Sequence, residues 1–295
     1  MLVSTETGGL GNRIKSWVSA RRLSSEARLF WPVTANMPAT FSELFANDFC
    51  IDSVPAGADT YKSWRLAVLP EDEIHIPRGF AVVGAGRHPL IRALGASWWK
   101  LRGRPDDRYR YMVFPKQHSL RSTRRDARHI DLEYGRIPAA IRTAYAPYFA
   151  QLQPVEEIRT AVDQWWRTSG GDDLIGVQVR TWRDDVRRYR KYHLPARPRL
   201  LELMRAAPAD RRFLLVSDSD EFIEFIGAAF GKQRIVSWQR TTPREQSWSH
   251  PAGIAEDLID MLLLARCRRL FASYLSTFSE TAWWLGGAQS DVSVF

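Results

Sequence analysis

Cysteine is almost missing: Cys50 and Cys267 stand alone and far apart in 295 residues. With no paired spacing, they exclude a cysteine zinc site and favour a reducing compartment. No run of 18 or more apolar residues occurs, so no membrane-spanning segment is expected. The start, Met-Leu-Val-Ser-Thr-Glu-Thr-Gly-Gly, has neither a basic n-region nor an apolar h-region. No secretion signal is therefore expected, and the cytoplasm is the expected compartment. Lysine is scarce too, at 6 residues against 36 arginines. Apart from the turn Asp218-Ser-Asp220, the candidate positions hold no Asp-x-Asp motif, so no metal site is expected.

What is present suits two α/β domains of roughly 150 residues each, and a hydrophobic content of 45% supplies two cores. The net charge of +9 is mostly arginine, and a basic chain can bind nucleic acid. Here the arginines are scattered, a bias that a GC-rich genome explains. Two clusters stand out: Arg121, Arg124, Arg125 and Arg128, then Arg183, Arg187, Arg188, Arg190 and Lys191. Both read as solvated faces. The second directly follows a strand end at Arg180, so it also suits an anionic ligand nearby.

Residues 2–5 form a short strand, and the glycine turn Gly8-Gly9-Leu10-Gly11-Asn12-Arg13 leads into a helix over 14–29. Leu29–Trp31 reads as a strand and Phe41–Phe49 as a short helix. In residues 50–135 the pattern is weaker, with strands at 74–76, 80–83 and 111–114, an aromatic basic patch at Trp98-Trp99 and a loop over 102–108. Helices are predicted over 138–148 and 154–166, and Gly170-Gly171 breaks the chain before Leu174–Arg180. The domain boundary falls within about 150–172, giving domains 1–155 and 156–295. Beyond it the order is strand, basic loop, helix 199–206, strand 213–219, helix 220–230, short strand 234–237, helix 255–266, strand from Leu270, helix 277–285. Near-continuous apolar strands alternating with helices predict a doubly wound parallel sheet.

In such sheets ligands sit beyond the carboxyl ends of the strands, and three chemically distinct ends appear. Leu-Ile-Gly-Val-Gln-Val-Arg stops on Arg180, whose guanidinium is always charged and can grip a phosphate in a fork; the plain alternative is an ion pair with Asp184 or Asp218. Phe-Leu-Leu-Val-Ser-Asp-Ser stops on Asp218, which alone reads equally as a helix cap or an Asx-turn. The third end opens a helix at Ser276-Thr277, where Thr277-Phe-Ser-Glu280 has the form of a capping box. Asp260 lies on a heavily apolar helix and needs a partner if buried. The Gly8–Arg13 turn has the context of a phosphate-cradling loop but is neither a Walker loop nor Gly-x-Gly-x-x-Gly.

Together, Gly9-Leu-Gly-Asn-Arg13, Leu29–Trp31 with Phe41–Phe45, Gly176–Arg180, Phe213–Ser219, Asp260-Met-Leu-Leu-Leu and Ser276–Glu280 resemble the GDP-fucose-dependent fucosyltransferase superfamily. That group includes the bacterial nodulation α-1,6-, the α-1,2- and the protein O-fucosyltransferases. Order and spacing match over nearly the whole chain, most specifically in the carboxyl half. The resemblance implies a GT-B fold, two Rossmann-like domains facing a central cleft, and inverting transfer from GDP-fucose without an essential metal or further cofactor. By position it implies that Arg180 stabilises departing GDP and that Asp218 is the acid of the second motif. It gives Asp260 the guanine base, Ser276 and Thr277 the phosphates, and Gly9, Gly11 and Asn12 the amino-domain loop facing the donor.

Two positions depart from the pattern. Gln178 stands where relatives have a histidine, and Arg183 where an acid usually follows, with Asp184 and Asp185 next in line. The leading expectation is a bacterial-type fucosyltransferase with a nucleotide-sugar donor and a glycan or glycolipid-linked acceptor, acting without nucleic acid. The alternatives are a transferase for another nucleotide sugar, and a non-catalytic basic protein that binds RNA or polysaccharide.

Overall fold

The computed structural model describes residues 1–69, 113–114, 128–130, 134–171, 173–274 and 276–295. The strands expected at 74–76 and 80–83, the Trp98-Trp99 patch, the 102–108 loop and Arg121, Arg124 and Arg125 lie outside these residues. The chain forms two compact units, one of residues 1–7, 12–31 and 49–148, the other of residues 8–11, 32–48 and 149–295.

In the first unit, β1 (Leu2–Ser4), β2 (Arg28–Phe30), β3 (Cys50–Ile51) and β4 (Asp59–Tyr61) make a parallel sheet in the order β3-β2-β1-β4. Helix α1 (Leu10–Leu23) connects β1 to β2 and starts within the glycine turn rather than after it. Its inner residues Ile14, Trp17 and Val18 are buried, and Trp17 stacks on Phe49 with ring centroids 4.0 Å apart. A second, antiparallel sheet has the order β5-β7-β6, from β5 (Leu66–Val68), β6 (Val113–Phe114) and β7 (Arg128–Ile130). Helix α2 (Ala139–Ala150) follows.

The second unit holds a five-stranded parallel sheet in the order β10-β9-β8-β11-β12. Its strands are β8 (Ile175–Val179), β9 (Phe213–Ser217), β10 (Ile235–Val236), β11 (Arg269–Ala272) and β12 (Asp291–Val294). Burial on both faces explains why β8 and β9 read as unbroken apolar runs. On one face Ile175, Val177, Val179 and Leu215 pack with Leu200, Met204, Phe222 and Ile226. At roughly 1.5–3 kcal/mol per buried side chain, this cluster is a main source of the unit's stability. On the other face Gly176 lets helix α6 (Pro251–Ala265) lie close, because a Cβ there would sit 2.9 Å from Leu264 and 3.2 Å from the Cys267 sulfur. Helices α3 (Glu156–Ser169), α5 (Asp220–Phe230) and α7 (Thr277–Leu285) complete the alternation.

Three elements differ from expectation. The short helix over 41–49 is a single turn, in which Leu44 N and Phe45 N both reach the Phe41 carbonyl. Thr40 and Glu43 exchange cap-like hydrogen bonds there. Propagation stops because the next groups pair elsewhere: Ala46 N donates to Gln153 O at 2.8 Å and Val155 N to Leu44 O at 3.1 Å. The expected basic loop before residue 199 is instead helical. Helix α4 begins with Val186–Arg188, passes through a π-helical turn at Tyr189–His193 and continues as Leu194–Ala206. Pro195 and Pro198 fall just past that wider turn. Strand β12 gives no signal in the sequence, because its exposed or half-buried Asp291 and Ser293 lack the apolar run of its neighbours.

Candidate functional site

The carboxyl ends of β8 and β9 carry the densest arrangement of functional groups. Arg180 is fixed at both backbone and side chain. Its N–H donates to Ser273 Oγ at 2.8 Å, and Ser273 Oγ donates to the Gln178 carbonyl at 3.2 Å. Its guanidinium pairs with Asp218 through Nη1 and Oδ2 at 3.0 Å. It also lies over the Trp182 ring, 5.1 Å from the centroid. With 45% of the side chain still exposed, it stays open to a ligand.

Asp218 bridges two strand ends, since its other oxygen, Oδ1, accepts from Thr181 N at 2.8 Å. It does not cap α5. That cap is Ser219, whose Oγ accepts from Phe222 N at 3.3 Å. The ion pair named as the plain alternative for Arg180 therefore exists, with Asp218 rather than Asp184. With the Arg180 side chain 45% exposed, solvent screening keeps the pair's contribution to stability to about 1 kcal/mol. Arg183 pairs with Glu245 at 2.8 Å. Asp185 caps the first turn of α4, accepting from Arg188 N at 3.0 Å, while Asp184 is largely exposed.

Several buried polar atoms of this region have no hydrogen-bond partner among the described residues: Gln178 Oε1, Thr181 Oγ1, Ser217 Oγ, Trp238 Nε1 and Asp260 Oδ1. Buried polar atoms are normally satisfied, so the orphans of Gln178, Thr181, Ser217 and Trp238, at or just past the ends of β8, β9 and β10, point to a polar ligand. Asp260 is fully buried. Its Oδ2 accepts from Arg240 Nη1 at 3.0 Å and Arg244 Nη1 at 3.1 Å. Arg240 also holds Asp257 at 2.8 Å, and Arg244 holds Asp220 at 3.1 Å. Burial pushes the Asp260 carboxyl up to about 6, with Arg244 and Arg240 opposing that rise. Asp260, which needs a partner if buried, is thus both buried and paired. Its two arginines carry no signal in the sequence, because they sit in an irregular segment 16 and 20 residues away.

The start of α7 meets the glycine turn. A Cβ on Gly11 would be 2.6 Å from the Thr277 carbonyl oxygen, so only glycine tolerates the approach. Thr281 Oγ1 closes the contact by donating to Gly11 O at 3.3 Å. Ser276 is the N-cap, accepting from Ser279 N at 3.4 Å. The expected capping box opens on Thr277, but the cap is one residue earlier at Ser276, and Glu280 accepts from Trp284 Nε1 at 3.3 Å. Around Gly9 a Cβ would meet nothing within 4 Å, and Asn12, on α1, has a buried Oδ1 without a partner among the described residues. Among the described residues no hydrogen bond joins Gln178 to Asp260, and no group of three metal-binding side chains occurs.

Sequence comparison finds no matching protein-family model and no matching curated protein. Among solved structures, POFUT1 in complex with GDP-fucose matches over 100% of this chain and 96% of its own, at 13% identity and a TM-score of 0.51. The fold is GT-B. Fucosyltransferase NodZ from Bradyrhizobium matches at 20% identity over 95% of this chain and 91% of that one, with a TM-score of 0.49. A mutant of Arabidopsis thaliana FUT1 in complex with GDP matches at 14% identity over 99% and 69%, with a TM-score of 0.47. Within this GT-B fold, the second unit's parallel sheet presents Arg180 and Asp218 at its carboxyl edge. No helix among the described residues is long and apolar enough to cross a membrane.

Proposed function

We propose that this chain is a glycosyltransferase that transfers fucose from GDP-fucose, with inversion, to a glycan or glycolipid-linked acceptor. The observation that carries this reading is Arg180, a half-exposed guanidinium held at the end of a central strand by Asp218, Ser273 and Trp182. As the bond to the diphosphate breaks, negative charge collects on departing GDP. A preorganised cation stabilises that charge more in the transition state than in the ground state. The capped start of α7 at Ser276–Thr277 offers backbone N–H donors to the same diphosphate, with Gly9 and Gly11 keeping the glycine turn slim. Asp260 Oδ1 and Gln178 Oε1, both unpartnered acceptors, suit the N–H edge of a guanine.

In this reading the second unit binds the donor, Asn12 joins Gly9 and Gly11 in the loop that faces the donor, and the rest of the first unit serves the acceptor side. Arginine takes the place of a metal ion, and no further cofactor is used. The cytoplasm is the proposed compartment, in keeping with two free cysteines, and a bacterial glycan pathway is the proposed setting. A second reading, another nucleotide sugar, draws on Gln178 at the base position and on the arginines that already occupy one oxygen of Asp260.

Calorimetry with GDP and UDP, paired with GDP release from GDP-fucose, tests the proposal. Micromolar GDP binding, weak UDP binding and little salt dependence are expected. Equal affinity for UDP would favour the second reading. Binding only to polyanions, collapsing steeply with salt, would replace both with a basic binding protein.

A further inference from the structure

A transfer with inversion needs a group to take the acceptor's proton, and the two exposed or cap-forming acids after Arg180 leave that role open. Beside Arg180 lies a narrow cavity lined by Trp182, Tyr192, His193, Ser273 and Tyr274, with room for little more than one water-sized group. Three independent features converge on it. Trp182 is held at φ 56°, a conformation costly for a bulky non-glycine residue. The π-helical turn Tyr189–His193 ends on His193, and such turns recur at functional sites. His193 itself is 6% exposed and rigidly held, stacked on Tyr189 at 5.3 Å and edge-on to Phe222 at 5.2 Å.

We infer that His193 is the catalytic base, receiving the proton of the acceptor hydroxyl directly or across one water in this cavity. The inference rests on the fucosyl-transfer reading. In the step, the acceptor hydroxyl oxygen bonds to the sugar's anomeric carbon while that carbon's bond to the diphosphate oxygen breaks. The electron pair leaves with GDP, whose charge Arg180 stabilises. The hydroxyl proton moves to a ring nitrogen of His193, which then releases it to solvent.

The charged groups facing the ring are Arg180 from the end of β8, Asp218 from the end of β9 and Arg197 from α4 itself. Burial lowers the ring's pKa, Asp218 and the Arg180 backbone raise it, and Arg197 lowers it, with a net fall below the usual histidine value. A ring that is neutral at pH 7 can accept a proton.

The test follows GDP release from GDP-fucose with p-nitrophenyl glycosides as acceptors, and with water when none reacts. His193→Gln should lower kcat by on the order of 10²-fold or more, leave GDP affinity within about threefold, and abolish the acidic limb of the pH–rate profile. Imidazole should restore part of the turnover of His193→Ala. Turnover within about threefold of the parent with the limb intact, or loss of GDP binding in parallel with turnover, would overturn the assignment. If both variants misfold, the ring NMR titration of His193 in the parent decides: a ring that is neutral at pH 7 is expected, and one protonated there refutes the base. A parent protein that binds GDP but never consumes GDP-fucose refutes the fucosyl reading and this inference with it. A parent that turns over while His193→Gln is unaffected refutes only the base.

Discussion

Replacing Arg240 with methionine keeps an elongated side chain of similar bulk but removes a cation that is only 5% exposed. Three acids depend on it: Asp257 at 2.8 Å, Asp260 at 3.0 Å and Glu256 at 3.5 Å. Its Nη2 also donates to the Gly253 carbonyl at 2.8 Å. Breaking a buried pair by removing one partner costs about 3–5 kcal/mol, because the survivor stays buried and charged. Asp260 keeps Arg244 at 3.1 Å, and Glu256 keeps its bonds from Thr241 and Thr242. The lower part of that range, about 3 kcal/mol, is therefore expected. Against a typical total of about 5–15 kcal/mol this is a large loss.

The pH dependence follows from the same geometry. Asp260 already titrates near 6 in the folded protein, above the usual aspartate value of about 3.9, and removing a cation raises it further. Between the unfolded and folded values the folded state binds more protons, so stability falls as pH rises. Urea melts of Arg240→Met should thus show the deficit largest near pH 8 and partly recovered near pH 5. Arg240→Lys should fall between, since one ammonium cannot serve three acids in fork geometry. A loss under about 1 kcal/mol at pH 8, or a deficit independent of pH, would refute the reasoning.

Arg180→Ala should cut kcat by about 10²-fold or more with little change in melting temperature, and Arg180→Lys should still lose much of it, because charge without the fork is a poorer match. The reverse, normal turnover with a clear drop in stability, would make Arg180 structural. Asp260→Asn should weaken GDP binding by roughly 1–3 kcal/mol while binding of inorganic phosphate stays unchanged, as calorimetry can show. Turnover should persist in excess EDTA, and loss on chelation restored by Mn²⁺ or Mg²⁺ would end the arginine-for-metal argument. Native protein should offer one thiol to a thiol reagent, Cys50, because Cys267 is buried and its pKa is pushed up to about 12. Denaturation should reveal the second.

Much of the second unit is legible in the sequence because β8 and β9 are buried on both faces and announce themselves as apolar runs. Their terminal residues, Arg180 and Asp218, stand out against that background for the same reason. What stays hidden is set by partners distant in sequence. Nothing near Arg240 or Arg244 shows that both converge on Asp260, and nothing near Thr277 shows that Ser276 is the cap. The turn at Phe41–Phe45 has the local signature of a helix start, which pairing with the segment around Gln153 overrides. His193 gives no signal of its own, because a lone histidine on a helix is most simply a core residue. Its meaning appears only once the π-helical turn and the strained Trp182 are set beside it.

Gly11 and the segment 32–48 belong to the same compact unit as residues 149–295. During synthesis these early stretches leave the ribosome well before their packing partners exist. The second unit therefore cannot complete itself as a late, self-contained module: its glycine turn must wait for Thr277, and its Phe41–Phe45 turn for Gln153 and Pro154. A polypeptide cut near residue 150 to isolate the donor half would lack both pieces, leaving the Leu152–Val155 segment without its pairing edge and α7 without the backbone it rests on. Two halves made separately should recover the native unit only when mixed, as complementing fragments rather than as independent domains.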